Sequence, residues 1–200
     1  KMDRLGSTII DSGSIKNINR QLLHKYFECL AKIYTTSKNT INYIPRNIYF
    51  KDEKSNSLST LLSDKQVLLL GEAGCGKSLE AIDLLEKICI DSRSKDIIPI
   101  FLPLLEYGKI YSSISQGIEN KLKPYCDKIS DDIIQNWLKT GCFALIIDGI
   151  DDIQDKENRR KCIIELKNIM LYSNETYVFI TSRSNRYNSC LLYTSPSTRD

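Results

Sequence analysis

The chain has 200 residues, 42% of them hydrophobic and 26% charged, which suits one globular domain with a small appendage and a sizeable core. A formal net charge of +3 gives no reason to expect a nucleic-acid or anionic-membrane partner, and no apolar run approaches the ~20 residues needed to span a bilayer. Seven cysteines and the single histidine, His24, include no C-x-x-C pair. An odd count without a signal-like N-terminus implies free thiols in a reducing, cytoplasmic setting rather than a disulfide frame or a zinc site.

Residues 1–18 are polar and read as a loosely attached lead-in, while 19–35 carry Leu22, Leu23, Tyr26, Phe27, Leu30 and Ile33 at helical spacing. Asn42-Tyr43-Ile44-Pro45 ends that helix, because the residue before a proline avoids the α region. Ile48-Tyr49-Phe50 reads as a short edge strand, and 55–62 as a turn and a short helix. Residues 66–70 form a short buried strand, and 78–89 set Ala81, Ile82, Leu84, Leu85 and Ile88 on one helical face. The apolar run 97–102 predicts another strand, with Pro99 calling for an edge position or an irregular start. Residues 112–139 read as helix in two pieces broken near Pro124, the second carrying Ile133, Ile134, Trp137 and Leu138 and stopping at a Gly141 cap. Strands at 142–147 and 177–180 flank a helix over 156–171 with Ile163, Leu166, Ile169 and Met170 on one face. Nearly all-apolar strands alternating with helices predict a mostly parallel sheet covered on both faces: an α/β/α three-layer sandwich preceded by a short helical segment.

The last eleven residues, 190–200, closely resemble a translated sequencing adapter. The expected division is therefore a lead-in and helix over 1–40, a core over 41–189 that is incomplete at its C-terminal end, and adapter read-through over 190–200.

Gly71-Glu72-Ala73-Gly74-Cys75-Gly76-Lys77-Ser78 fits G-x-x-x-x-G-K-[ST] throughout, between an expected strand and an expected helix. Its glycines permit a tight loop whose backbone N–H groups turn inward onto phosphate oxygens. The amides entering the helix, through Leu79, add the positive end of the helix dipole. In such a loop Lys77 reaches the β- and γ-phosphates and the Ser78 hydroxyl completes a Mg²⁺ shell.

A loop of this kind needs an acid for magnesium at the end of another parallel strand, where the C-terminal strand ends share one edge. Asp148, closing the 142–147 run, is that candidate. Asp151 and Asp152 crowd beside it, and their mutual repulsion calls for a cation; either one polarises an attacking water or merely caps the next helix. Arg183, after the 177–180 strand, is placed to sense a γ-phosphate and stabilise charge spreading onto it. Arg159-Arg160-Lys161 reads as the solvated face of a helix.

Together these motifs resemble the NACHT family of signal-transducing P-loop ATPases, over residues 43–185. Gly71–Ser78 is similar to its first motif, Leu145-Ile146-Ile147-Asp148-Gly149-Ile150-Asp151-Asp152 to its acid signature, and Val178-Phe179-Ile180-Thr181-Ser182-Arg183 to its sensor strand. Ile98-Pro99-Ile100-Phe101-Leu102-Pro103-Leu104 resembles the family's second strand, and Tyr43-Ile44-Pro45 a segment near the nucleotide base. The resemblance implies an ATP/ADP-binding, slowly ATP-hydrolysing switch with Mg²⁺ as cofactor and self-association of the whole protein. It also implies lid and effector domains beyond this segment. Asp152 departs from the glutamate usual in the family, which leaves open an assembly module with little hydrolysis. Another P-loop ATPase, such as an AAA+ motor, is a further alternative. The chain has no N-K-x-D motif for reading guanine and no evident acceptor lid of a kinase.

Overall fold

The computed structural model describes residues 25–26, 28–30, 65–91, 97–125, 129–173 and 175–184, with backbone alone at 48–50, 53–55 and 89–91. Residues 25–26 and 28–30 are helical, in keeping with the helix expected there. Tyr43, Ile44 and Pro45, the expected short helix beyond residue 55 and the adapter-like segment lie outside the described residues.

Two short strands, β1 (Ile48–Phe50) and β2 (Glu53–Ser55), pair antiparallel with each other. The edge strand expected at 48–50 is present, as one half of a two-stranded sheet. Only two residues separate β1 from β2, a link suited to a hairpin and far too short for a parallel crossover.

The core begins with β3 (Gln66–Gly71) and α1 (Lys77–Asp91), followed by β4 (Ile98–Pro103). Helices α2 (Ile114–Leu122) and α3 (Asp131–Thr140) lead to β5 (Phe143–Asp148), then α4 (Lys156–Tyr172) and β6 (Tyr177–Arg183). The four core strands are all parallel, in the order β3-β6-β5-β4. Pro99 and Pro103 sit on β4, at the end of that order, where a missing N–H is tolerated. The break near Pro124 is a single 3₁₀ turn, Lys123–Tyr125, and Gly141 ends α3 at φ 76°.

β4, β5 and β6 bury both faces, which is why they read as continuous apolar runs, whereas β3, expected as a buried strand, is only half-buried and leaves Leu70 41% exposed. On one face, Ala81, Leu84, Leu85 and Ile88 of α1 cover Ala144, Ile146 and Phe179. On the other, Ile100, Leu145, Ile147 and Ile180 pack beneath α2, α3 and α4 through Ile118, Trp137 and Leu166. The result is an α/β/α domain with a parallel four-stranded sheet. No helix among the described residues is long and apolar enough to cross a membrane.

β6 extends three residues past the expected apolar run, because Thr181 and Ser182 are buried at 1% exposure and pair with Leu69 and Leu70 of β3. Alternation then fixes the sides. Asp148 follows Ile146 by two positions and Thr181 follows Phe179 by two, so both belong to the face that α1 covers.

Leu85, fully buried between α1 and the sheet, supports that arrangement. Leu85→Ala is expected to cost about 2–5 kcal/mol in urea unfolding, against less than about 0.5 kcal/mol for Leu171→Ala on the exposed side of α4. Equal effects of the two would contradict this packing.

Candidate functional site

The loop leaving β3 is shaped by its glycines. Gly74 and Gly76 adopt φ 75° and 85°, a region that residues with a Cβ rarely enter. Cys75 N donates to Glu72 O at 3.3 Å, closing a turn, and Glu80 N donates to Gly76 O at 3.1 Å, the first helical bond. The amides of Lys77, Ser78 and Leu79 therefore lie ahead of the first i→i−4 bond, at the positive end of α1. The Lys77 side chain folds back over the loop, its Nζ 2.9 Å from Gly71 O, 2.8 Å from Glu72 O and 3.7 Å from Cys75 Sγ. A Cβ on Gly71 would stand 2.6 Å from Cys75 Sγ, so the bare glycine makes room for the Cys75 side chain. Ala73, Gly74 and Cys75 are exposed, so the loop is an open cradle.

Two strands away, β5 ends at Asp148. Ile147 pairs with Ile180, so the next residues, Asp148 and Thr181, stand side by side. The Thr181 hydroxyl donates to Asp148 Oδ1 at 2.6 Å and accepts the Gly149 N–H at 2.8 Å. Gly149 has φ 76°, and a Cβ on it would run into the Asp152 carboxylate.

Asp151 and Asp152 belong to a 3₁₀ turn, Ile150–Asp152, and neither caps α4; Asp155 does, accepting Asn158 N at 2.7 Å. The two acids have different environments. Asp151 is 6% exposed, and its Oδ1 accepts the Arg183 backbone N–H at 3.0 Å. Arg183 Nε lies 2.8 Å from Asp151 Oδ2, close enough for an ion pair but poorly aligned for a hydrogen bond. Asp152 is half-exposed, with Arg183 NH2 3.5 Å from its Oδ1. Burial holds the Asp152 carboxyl above the ordinary aspartate value; Asp151 and Asp148 add to this, and Arg183 and Lys77 oppose it.

The sheet edge thus gathers Asp148, Asp151, Asp152 and Arg183, with the loop strand β3 paired to Arg183 through Gly71. Ser184 Oγ, just past β6, closes the circuit by donating to Glu72 Oε1 at 2.5 Å. Asp151 anchors Arg183, while Asp152 is the more exposed of the two acids. Arg183 is a paired cation, held by its own strand's neighbours. Arg159 is not simply solvated either: its guanidinium donates to Ile153 O (Nε at 2.9 Å), tying α4 to the acidic turn. Arg160 and Lys161 are exposed, with Lys161 Nζ 2.8 Å from Ser112 O. The role of Thr181 was missed from sequence; two hydroxyl residues interrupting an apolar strand were its signal.

No group of three or more His, Cys, Asp or Glu side chains converges as a metal cage among the described residues. The hydroxyl of Ser78 and the carboxylate of Asp148 are hard oxygen donors of the kind magnesium uses. A separate cleft of about 380 Å³ lies between α2, α3 and α4, near Ser113, Asp131 and Glu165. Its carboxylates are committed inside the protein: Glu165 accepts from Ile114 N and Tyr107 OH, and Asp131 from Ser115. In comparisons with known proteins, no family model matches the chain and no curated protein shows a significant match.

The raised Asp152 carboxyl has a pH signature. An acid whose folded value lies above its unfolded value of 3.8 opposes folding once ionised. That penalty is absent below the unfolded value and complete above the folded one. Asp152→Asn is therefore expected to raise the melting temperature at pH 7, with the gain shrinking as pH falls toward 3.8. A lower melting temperature for the variant at pH 7 would contradict the charge balance described.

Proposed function

We propose that this chain is the nucleotide-binding core of a P-loop ATPase. The observation that carries the reading is the register of β6, which sets Gly71 of the loop beside Arg183 and brings Thr181 onto Asp148, so that the loop and the acids share one sheet edge. A triphosphate lying along the loop meets the first amides of α1, and Lys77 exchanges the Gly71 and Glu72 carbonyls for β- and γ-phosphate oxygens. Ser78 and Asp148 would hold Mg²⁺, which would offset the charge of the phosphates. Asp152 orients the attacking water, and Arg183, braced by Asp151, faces the γ-phosphate.

Within that class, the acid signature 148–152 and Thr181-Ser182-Arg183 favour a NACHT-like signalling ATPase whose nucleotide state controls self-association of the whole protein. One observation favours weak hydrolysis. Asp152, shorter than the glutamate of the family it resembles, already rests 3.5 Å from Arg183. An assembly module that holds ATP and seldom cleaves it is therefore the second reading. Single-turnover hydrolysis separates them: Asp152→Glu accelerates cleavage of bound ATP if the position is catalytic, and changes nothing if it is vestigial.

The direct test of the binding site is Lys77→Ala. Losing two charge-assisted contacts is expected to weaken ATP binding roughly 100-fold or more in an equilibrium titration, without unfolding the chain. Unchanged affinity would refute the site.

A further inference from the structure

We infer that Thr181 is the positioning residue for Asp148, fixing the orientation of the metal-binding carboxylate from the strand that lies between it and the phosphate loop. The inference rests on the ATPase reading and goes beyond it in assigning this hydroxyl a role. A threonine hydroxyl has one hydrogen and two lone pairs. The Gly149 N–H occupies a lone pair at 2.8 Å, and the single hydrogen points to Asp148 Oδ1 at 2.6 Å. The amide thus sets the hydroxyl rotor, the rotor sets the carboxylate, and Oδ2 is left for the metal shell.

Thr181 is 1% exposed, so solvent does not compete for its hydroxyl. Its backbone pairs with Leu69 of β3, two residues before the loop. One residue therefore links the register of the phosphate-loop strand to the angle of the acid across the site. Partners that orient a metal-binding side chain typically change metal affinity by about 10–100-fold when removed. Serine preserves both hydrogen bonds, whereas valine preserves the shape and removes them.

The test measures ATP affinity by equilibrium titration, without Mg²⁺ and across a Mg²⁺ series, for the 200-residue chain and for Thr181→Val, Thr181→Ala and Thr181→Ser, with thermal melts alongside. Thr181→Val is expected to bind metal-free ATP as the parent does but to need about 10–100-fold more Mg²⁺ for the metal-dependent gain, with Thr181→Ser restoring the parent's requirement. Thr181→Ala gives the same reading if the valine variant does not fold. A folded valine or alanine variant with the parent's Mg²⁺ dependence would overturn the inference, as would a serine variant that fails to rescue. Absence of ATP binding by the parent chain would instead overturn the ATPase reading, and this inference with it.

Discussion

The placement of β6 between β3 and β5 is the constraint on which the rest depends. Its register sets Gly71 opposite Arg183 and Leu69 opposite Thr181 on one side, and Ile147 opposite Ile180 on the other. Because side chains alternate, a slip of one residue would turn Thr181 and Arg183 to the α2–α4 face and bring Ser182 to the acids. The buried faces prevent this. Phe179 fits against α1 and Ile180 against the opposite layer, so the hydrophobic cores that stabilise the sheet also hold the polar edge in alignment.

The polar edge is crowded with charge, and its stability depends on pairing. Asp151 is almost fully buried and tolerable there because Arg183 offers both its backbone N–H and its guanidinium. Asp148 is steadied by a neutral hydroxyl, so its own charge is not cancelled within the protein. Asp152 carries the remaining cost, first from burial and then from the repulsion of Asp151 and Asp148, which Arg183 and Lys77 only partly offset. A bound Mg²⁺ would supply positive charge beside Asp148, while the net negative charge of its nucleotide would fall to Lys77 and the first amides of α1.

Much of this was legible in the chain. Continuous apolar strands gave the parallel sheet, Pro99 its edge, Gly141 a helix end, and the glycine spacing the loop. What escaped reading depended on partners distant in sequence. The strand ending at Thr181-Ser182-Arg183 was legible, but not the burial of its two hydroxyl residues, which depends on pairing with β3 and, for Thr181, on hydrogen bonds at Asp148 and Gly149. The division of labour between Asp151 and Asp152 depends on Arg183, some thirty positions later, and no local pattern distinguishes the two. The hairpin at β1 and β2 was hidden because Glu53-Lys54-Ser55 has no apolar alternation to signal a strand. Arg159 looked solvated because its acceptor is a backbone carbonyl, which sequence does not display.

The central claim, that the loop and the acidic edge form one nucleotide site, is tested most directly by amide hydrogen exchange of the chain with and without ATP and Mg²⁺. The account predicts slowed exchange at 71–79 together with 149–152 and 183, and little change in α2 and α3 on the far side of the sheet. Protection absent from 71–79, or confined to the cleft between α2, α3 and α4, would contradict it.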